Sequence, residues 1–160
     1  MNETSLPRVA SAPKSVDIAV TGRCNLACKY CFYADEMVAL SDLPAERWFD
    51  FFAELGEMAV QRVTLTGGEA FTRPDFWELT DSVISNKMRY SLLSNGTLIT
   101  EKLLAQFEQG KRRLRLDSIQ VSIDGSRAEI HDRSRPNSFD RALRGLRLLV
   151  EAKFPVTVRV

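Results

Sequence analysis

Short runs of β-branched and apolar residues recur along this chain at 16–21, 62–66, 89–94, 117–123 and 155–160, with amphipathic stretches filling the intervals. Strands separated by helical patterns are joined by crossovers too long for hairpins, which gives βα units and a parallel sheet. Two intervals carry a clear helical period: Trp48, Phe51, Phe52, Leu55, Met58 and Ala59 in one, Phe139, Ala142, Leu143, Leu146, Leu149 and Val150 in the other. Both stripes are expected to face the core, and Arg141, Arg144 and Arg147, off the second stripe, to line its wet side. Pro44 and Pro74 sit where a first helical turn would begin, and Thr100 and Ser138 suit N-caps. Right-handed crossovers would then gather about four helices on one side of a five-stranded, curving α/β sheet, the wall of a barrel. The last strand pattern reaches Val160, so the barrel reads as unfinished and the chain as truncated.

Charge excludes partners rather than naming one. The chain has 160 residues, 44% of them hydrophobic, enough for one domain with a sizeable core. Its 22 Lys and Arg balance 21 Asp and Glu, so no large field exists to recruit nucleic acid or an anionic membrane. No apolar run approaches the roughly 20 residues that span a bilayer, and the start lacks a signal peptide's apolar centre. The expected location is the cytoplasm. Residues 1–15, with Pro7, Ser11, Pro13 and Ser15, read as a flexible entry segment, and 16–160 as the domain.

Cysteine is confined to one place. Cys24, Cys28 and Cys31 follow the first apolar run in Thr21-Gly22-Arg23-Cys24-Asn25-Leu26-Ala27-Cys28-Lys29-Tyr30-Cys31. The number is odd and the spacing too close for a secreted disulfide framework. C-x3-C-x2-C puts three soft donors on one loop, whereas a four-iron cubane normally takes four thiolates. One iron would stay open to a small chelator, such as an amine with a carboxylate. A zinc knuckle needs four ligands, and the sole histidine, His131, lies about a hundred residues further on. Buried free cysteines are common in cores, but the polar neighbours Arg23, Asn25 and Lys29 suit a loop.

With Tyr30 as the aromatic before Cys31, this segment resembles the hallmark of the radical S-adenosylmethionine superfamily, a C-x3-C-x-aromatic-C loop after the first strand of a partial (β/α)6 TIM-like barrel. The resemblance runs from about Val16 to Val160. It implies a [4Fe-4S] cluster on Cys24, Cys28 and Cys31 whose open iron binds the amino and carboxylate groups of S-adenosyl-L-methionine. It also implies an electron donor such as flavodoxin or ferredoxin. Gly67-Gly68-Glu69 looks like the family's glycine-rich segment beside the cofactor's methionine moiety, with Glu69 accepting from the ammonium. By sequence alone it is an ordinary strand-to-helix turn. Ser94-Asn95-Gly96 is a generic turn signal, and the family places ribose and methionine contacts near this strand end.

Ile119-Gln120-Val121-Ser122-Ile123-Asp124-Gly125, followed by His131-Asp132-Arg133-Ser134-Arg135, is similar to the S-x-D-G…H-D-x-x-R pattern of the peptide-maturing (SPASM-type) and sulfatase-maturating branch. The resemblance implies that Ser122 contacts the cofactor, Arg135 its carboxylate, and Asp124 the ribose or substrate. A guanidinium fork suits a carboxylate, although most arginines are solvated surface charges. The implied substrate is a ribosomally made precursor peptide. Small-molecule cofactor biosynthesis and a non-catalytic cluster or zinc module binding a partner are the alternatives. Relatives in this branch usually carry further cysteines after the barrel, and here none follows Cys31.

His131 could act as a base but suits a structural role better, since hydrogen-atom abstraction requires no general base. Lys111, Arg112, Arg113 and Arg115 read as a solvated loop ahead of the fourth strand. Phe32 and Tyr33 could cover a cluster or pack on the barrel rim, and neither is assigned a chemical role.

Overall fold

The computed structural model describes residues 12–31 and 41–160; Phe32, Tyr33 and most of the entry segment lie outside them. Strands β1 (Ser15–Ala19), β2 (Arg62–Thr66), β3 (Arg89–Ser94), β4 (Leu116–Ser122) and β5 (Val156–Arg159) are all parallel and pair in chain order. β2 and β3 coincide with the expected runs, and the other three lie within two residues of theirs. Between the strands run helices α1 (Ala45–Glu57), α2 (Phe76–Ser85), α3 (Glu101–Phe107), α4 (Arg112–Arg115), α5 (Ala128–His131) and α6 (Phe139–Glu151), and a 3-10 turn at Ala70–Thr72. The expected single helix per interval is thus exceeded after β3 and after β4. α4 and α5 have four residues each, too few for a 3.6-residue period to register.

Parallel sheets covered on both faces read as continuous apolar runs, but these strands alternate. Val63, Leu65, Tyr90, Leu92, Ile119 and Val121 are buried on the face under the helices. The residues between them are polar and less buried, and the register aligns Asp17, Thr64, Ser91 and Ser118 in one row across the other face. Alternation therefore divides the sheet into a dry outer face and a polar inner one. At the N-terminal end of the inner face a register shift sets Tyr90 opposite Leu116 and Ser91 opposite Ser118, leaving Asp117 as the extra residue of a bulge. Asp117 accepts from Arg62 Nε and Arg89 Nε. Burial pushes its carboxyl up, but the two guanidinium groups outweigh that and hold it below the usual range.

Several side chains depart from expectation. Phe51, Met58 and Val150 are 38%, 46% and 56% exposed, and Ala59 lies past the end of α1 with φ 60°. A helix laid on a sheet buries only its central stripe, so the flanking positions stay wet. Thr100 caps α3 by accepting from Leu103 N–H. Ser138 occupies the N-cap of α6 without capping it: Asp132 Oδ1 accepts from the N–H groups of Ser138 and Phe139, at 3.0 Å each. Pro44 is itself the N-cap residue of α1, and Pro74 stands two residues before α2.

The basic run is not a solvated loop. Arg112, 8% exposed, forks onto Asp81 at 2.8 and 2.6 Å and lies 4.8 Å over the Trp77 ring, while Arg113 lies 4.1 Å over Phe154. Stacking on aromatic faces and a bidentate carboxylate turn these charges inward. Among the described residues no helix is long and apolar enough to cross a membrane.

α6 meets the turn after β3 through glycine. A Cβ added at Gly145 would lie 2.1 Å from Gly96 O, a backbone atom, and Gly96 itself has φ +76°. Alanine would favour the helix intrinsically by about 1 kcal/mol. The contact is predicted to win: Gly145→Ala should lower stability by about 1–3 kcal/mol, read as a fall in Tm, and a rise would contradict the packing described.

Candidate functional site

Because the strands are parallel, their C-terminal ends share one edge, and a cleft of about 840 Å3 opens there. The last residues of β2, β3, β4 and β5 (Thr66, Ser94, Ser122 and Arg159) line it, together with Cys24, Cys28 and Cys31. Tyr30, Gly67, Gly68, Asn95, Asp124 and Arg135 line it too, so eleven of the twelve residues singled out in the sequence share one cavity. The exception is Glu69.

The cysteine loop is clamped from three sides. Towards β2, Gly68 N–H donates to Thr21 O at 3.0 Å and Glu69 N–H to Arg23 O at 2.8 Å, continuing the β1–β2 pairing beyond the strands. The approach requires glycine: a Cβ on Gly67 would stand 2.3 Å from Thr21 O, and one on Gly68 2.3 Å from Arg23 O and 2.9 Å from Cys24 Cβ. Towards β3, Asn95 Nδ2 donates to Asn25 Oδ1 at 2.9 Å and Asn25 Nδ2 to Thr97 Oγ1 at 2.8 Å. Towards β4, Lys29 N–H donates to Ser134 O at 2.9 Å and the Tyr30 hydroxyl to Asp124 at 2.8 Å.

Two further residues anchor the start of the loop. Asp42 accepts from Thr21 Oγ1 at 2.8 Å and pairs with Arg23. Arg73, 4% exposed, forks onto Asp75 and donates to Val20 O and Leu43 O at 2.7 Å each. A buried guanidinium with its donors used in this way is a rivet, and losing it would strand two carbonyls.

Charge in the cleft is organised around Asp124. Arg135 Nε lies 3.0 Å from both its oxygens, and Ser134 Oγ donates to it at 2.6 Å. Burial pushes the Asp124 carboxyl up, but the hydrogen bonds of Ser134, Tyr30 and Arg135 outweigh it and hold the group below the usual range. Burial and the bond to Asp124 push the Tyr30 phenol up to about 12. Burial also raises the Cys24 and Cys28 thiols, with the Arg135 charge drawing Cys28 back. Among the described residues no three His, Cys, Asp or Glu side chains are gathered as ligands of a single ion.

His131 is fully buried: its Nδ1 accepts from Asp124 N–H at 3.0 Å, so the proton sits on Nε2, which faces Ser138 Oγ at 2.9 Å. It braces the turn after β4. Glu69 also turns inward. At 1% exposure its carboxylate accepts from Ser94 Oγ at 3.0 Å, Asn95 N–H at 2.7 Å and Phe71 N–H at 3.5 Å, so it is enclosed by its own chain and does not line the cleft. Three of a carboxylate's roughly four acceptor positions are thereby filled from its own chain.

Asp17, Gln120 and Arg159 also line the cleft and were not singled out. Their signal was available, since each is a polar residue between apolar neighbours in a strand and so must face inward.

The Radical SAM superfamily model matches residues 18–160. The chain belongs to the radical S-adenosylmethionine superfamily. Enzymes of this family work with a [4Fe-4S] cluster and S-adenosylmethionine. This radical S-adenosylmethionine chain is 32% identical over 153 residues to the AdoMet-dependent heme synthase of Methanosarcina barkeri, covering 94% of the chain and 43% of that protein. It is 35% identical over 148 residues to the mycofactocin maturase MftC of Mycobacterium tuberculosis, covering 92% and 37%. The chain thus spans less than half the length of these curated relatives. Its fold matches that of Streptococcus suis SuiB, crystallised with the precursor peptide SuiA, at a TM-score of 0.79 and 19% identity, over 92% of this chain and 33% of that one.

The buried Glu69 makes stability depend on pH. Burial raises its carboxyl from 4.5 to about 7, with the Asn95, Ser94 and Phe71 donors pulling it partly back. The folded chain therefore keeps this proton at pH values where the unfolded chain has lost it. The resulting stability is complete below about pH 4.5 and is lost as pH rises through about 7, a span of about 3 kcal/mol. Glu69→Gln should flatten the decline in Tm between these limits in the metal-free protein; an unaltered pH profile would contradict this account of the carboxyl.

Proposed function

We propose that this chain is the cofactor-binding core of an enzyme that reductively cleaves S-adenosylmethionine and abstracts hydrogen from a ribosomally made peptide. The observation that carries the reading is the convergence of Cys24, Cys28 and Cys31 with the ends of β2, β3 and β4 on one cleft. The donor set fits a cubane. Each thiolate of a cubane takes a different iron, so the sulfurs need not gather around one point as a tetrahedral zinc ion demands.

Bound there, cluster and S-adenosylmethionine together supply one-electron cleavage of a carbon–sulfur bond and removal of a hydrogen atom from substrate. The protein's part is to bind, orient and exclude water. Cys24, Cys28 and Cys31 would hold three irons and leave the fourth to the cofactor's amino acid end. Gly67 and Gly68 offer backbone without side-chain bulk. Arg135, held through Nε by Asp124, keeps Nη2 for the cofactor carboxylate. Tyr30, Ser94, Asn95 and Ser122 border the remainder of the cofactor. Glu69 contributes indirectly, by fixing Ser94 and Asn95. The electron would come from a flavodoxin- or ferredoxin-type protein.

The peptide substrate is supported by the Ser122, Asp124, His131-Asp132 and Arg135 pattern and by the 35% identity to a maturase. The 32% identity to a heme synthase favours a second reading, a small-molecule substrate. A partner-binding module acting through the basic run has less support, because Arg112 and Arg113 are engaged within the fold.

Anaerobic reconstitution is expected to load about four irons and four sulfides per chain. With reductant and S-adenosylmethionine it should release methionine and deoxyadenosine, and Cys28→Ala should abolish both loading and release. Zinc without iron and sulfide, or a loaded chain that forms no deoxyadenosine, would overturn the reading.

A further inference from the structure

The cysteine sulfurs are not equivalent in what faces them. Arg135 Nη1 lies 3.9 Å from Cys28 Sγ, with its Nε on both oxygens of Asp124. The side chains of Arg135 and Asp124 are only 14% and 19% exposed. Water therefore screens little of their charge, and the guanidinium and carboxylate act on the sulfur with opposite sign.

Cys24 faces neutral donors. Leu26 N–H donates to its Sγ at 3.4 Å, and Asn95 Nδ2 lies 4.0 Å away. The orientation of the Asn95 amide is fixed, because its Oδ1 accepts from Thr97 N–H at 2.9 Å and Thr97 Oγ1 at 2.7 Å, which leaves Nδ2 to donate one hydrogen to Asn25 Oδ1 at 2.9 Å and to turn the other side towards the sulfur. Among the described residues no side-chain donor faces Cys31 in this way.

Hydrogen bonds and charge at the ligating sulfurs are a protein's main means of setting a cluster's potential. Resting on the cluster reading above, we propose that Arg135 and Asn95 are positioning residues that raise the cluster's reduction potential through the sulfurs of Cys28 and Cys24, and that Asp124 is the counter-charge limiting the effect of Arg135. An electron added to the cluster increases its negative charge. A cation at Cys28 favours that electron and an anion behind the cation opposes it.

The opposition of signs separates this role from a merely structural one. Loosening the loop would move the Arg135 and Asp124 variants the same way, whereas an electrostatic role moves them apart. The test is a redox titration of the anaerobically reconstituted chain, followed by electron paramagnetic resonance without S-adenosylmethionine. Arg135→Gln should lower the reduced-to-oxidised ratio at fixed potential at least tenfold, a shift of about 59 mV for one electron. Asp124→Asn should raise the ratio, and Asn95→Ala should lower it by less than Arg135→Gln.

The proposal is overturned if the Arg135 and Asp124 variants shift in the same direction, or if neither shifts while iron and sulfide contents match wild type. If Arg135→Gln retains no iron, Asp124→Asn decides, and an unchanged or lowered midpoint overturns the proposal. Failure of the wild-type chain to take up iron and sulfide would instead overturn the cluster reading on which the proposal stands.

Discussion

All five strands run the same way and pair in chain order, so every β-to-α turn emerges on one edge of the sheet. The site depends on this constraint. Residues separated by a hundred positions in the chain, such as Cys28 and Arg135, become neighbours because the loops after β1 and β4 leave the sheet on the same edge. Alternation within the strands does the rest. Most outward residues are apolar and lie under the helices, while Asp17, Thr66, Gln120 and Ser122 turn polar side chains into the cleft beside Leu93, and the loops beyond the strand ends complete its wall.

The cysteine loop is the least regular part of this arrangement, and its position is set by other elements. Glycine backbones at 67 and 68, the Asn25–Asn95–Thr97 clasp and the Tyr30–Asp124–Arg135 group hold it on three sides. Behind them stand buried polar residues that never reach the cleft: Glu69 beneath the β3 turn, His131 beneath the β4 turn, Arg73 at the exit of β1. Satisfied polar networks of this kind fix a geometry more narrowly than apolar packing, because each group tolerates few alternative partners.

Local sequence pattern made the framework legible. Short β-branched and apolar runs marked the strands, period 3.6 marked α1 and α6, and the residues following β1 to β4 marked the site. Eleven of the twelve singled-out residues line the cleft because position after a strand is a strong constraint in a parallel fold. What stayed hidden depends on partners distant in sequence. Nothing near Arg112 in the chain indicates that Asp81 and Trp77 will receive it, and nothing near Glu69 indicates that Ser94 and Asn95 will enclose it. Gly145 reads as a blemish in a helix until Gly96 is placed against it. Asp132 took the capping role expected of Ser138 because His131 had already claimed the serine hydroxyl.

The central claim is that Cys24, Cys28 and Cys31 supply three ligands to a four-iron cluster and leave one iron to the amino acid end of S-adenosylmethionine. Mössbauer spectroscopy of the chain reconstituted with iron-57 addresses it most directly, because each iron reports its own coordination. Adding S-adenosylmethionine should change the signal of one iron in four and leave the other three as they were. A spectrum with all the irons unaffected, or a single mononuclear site from the outset, would contradict the account.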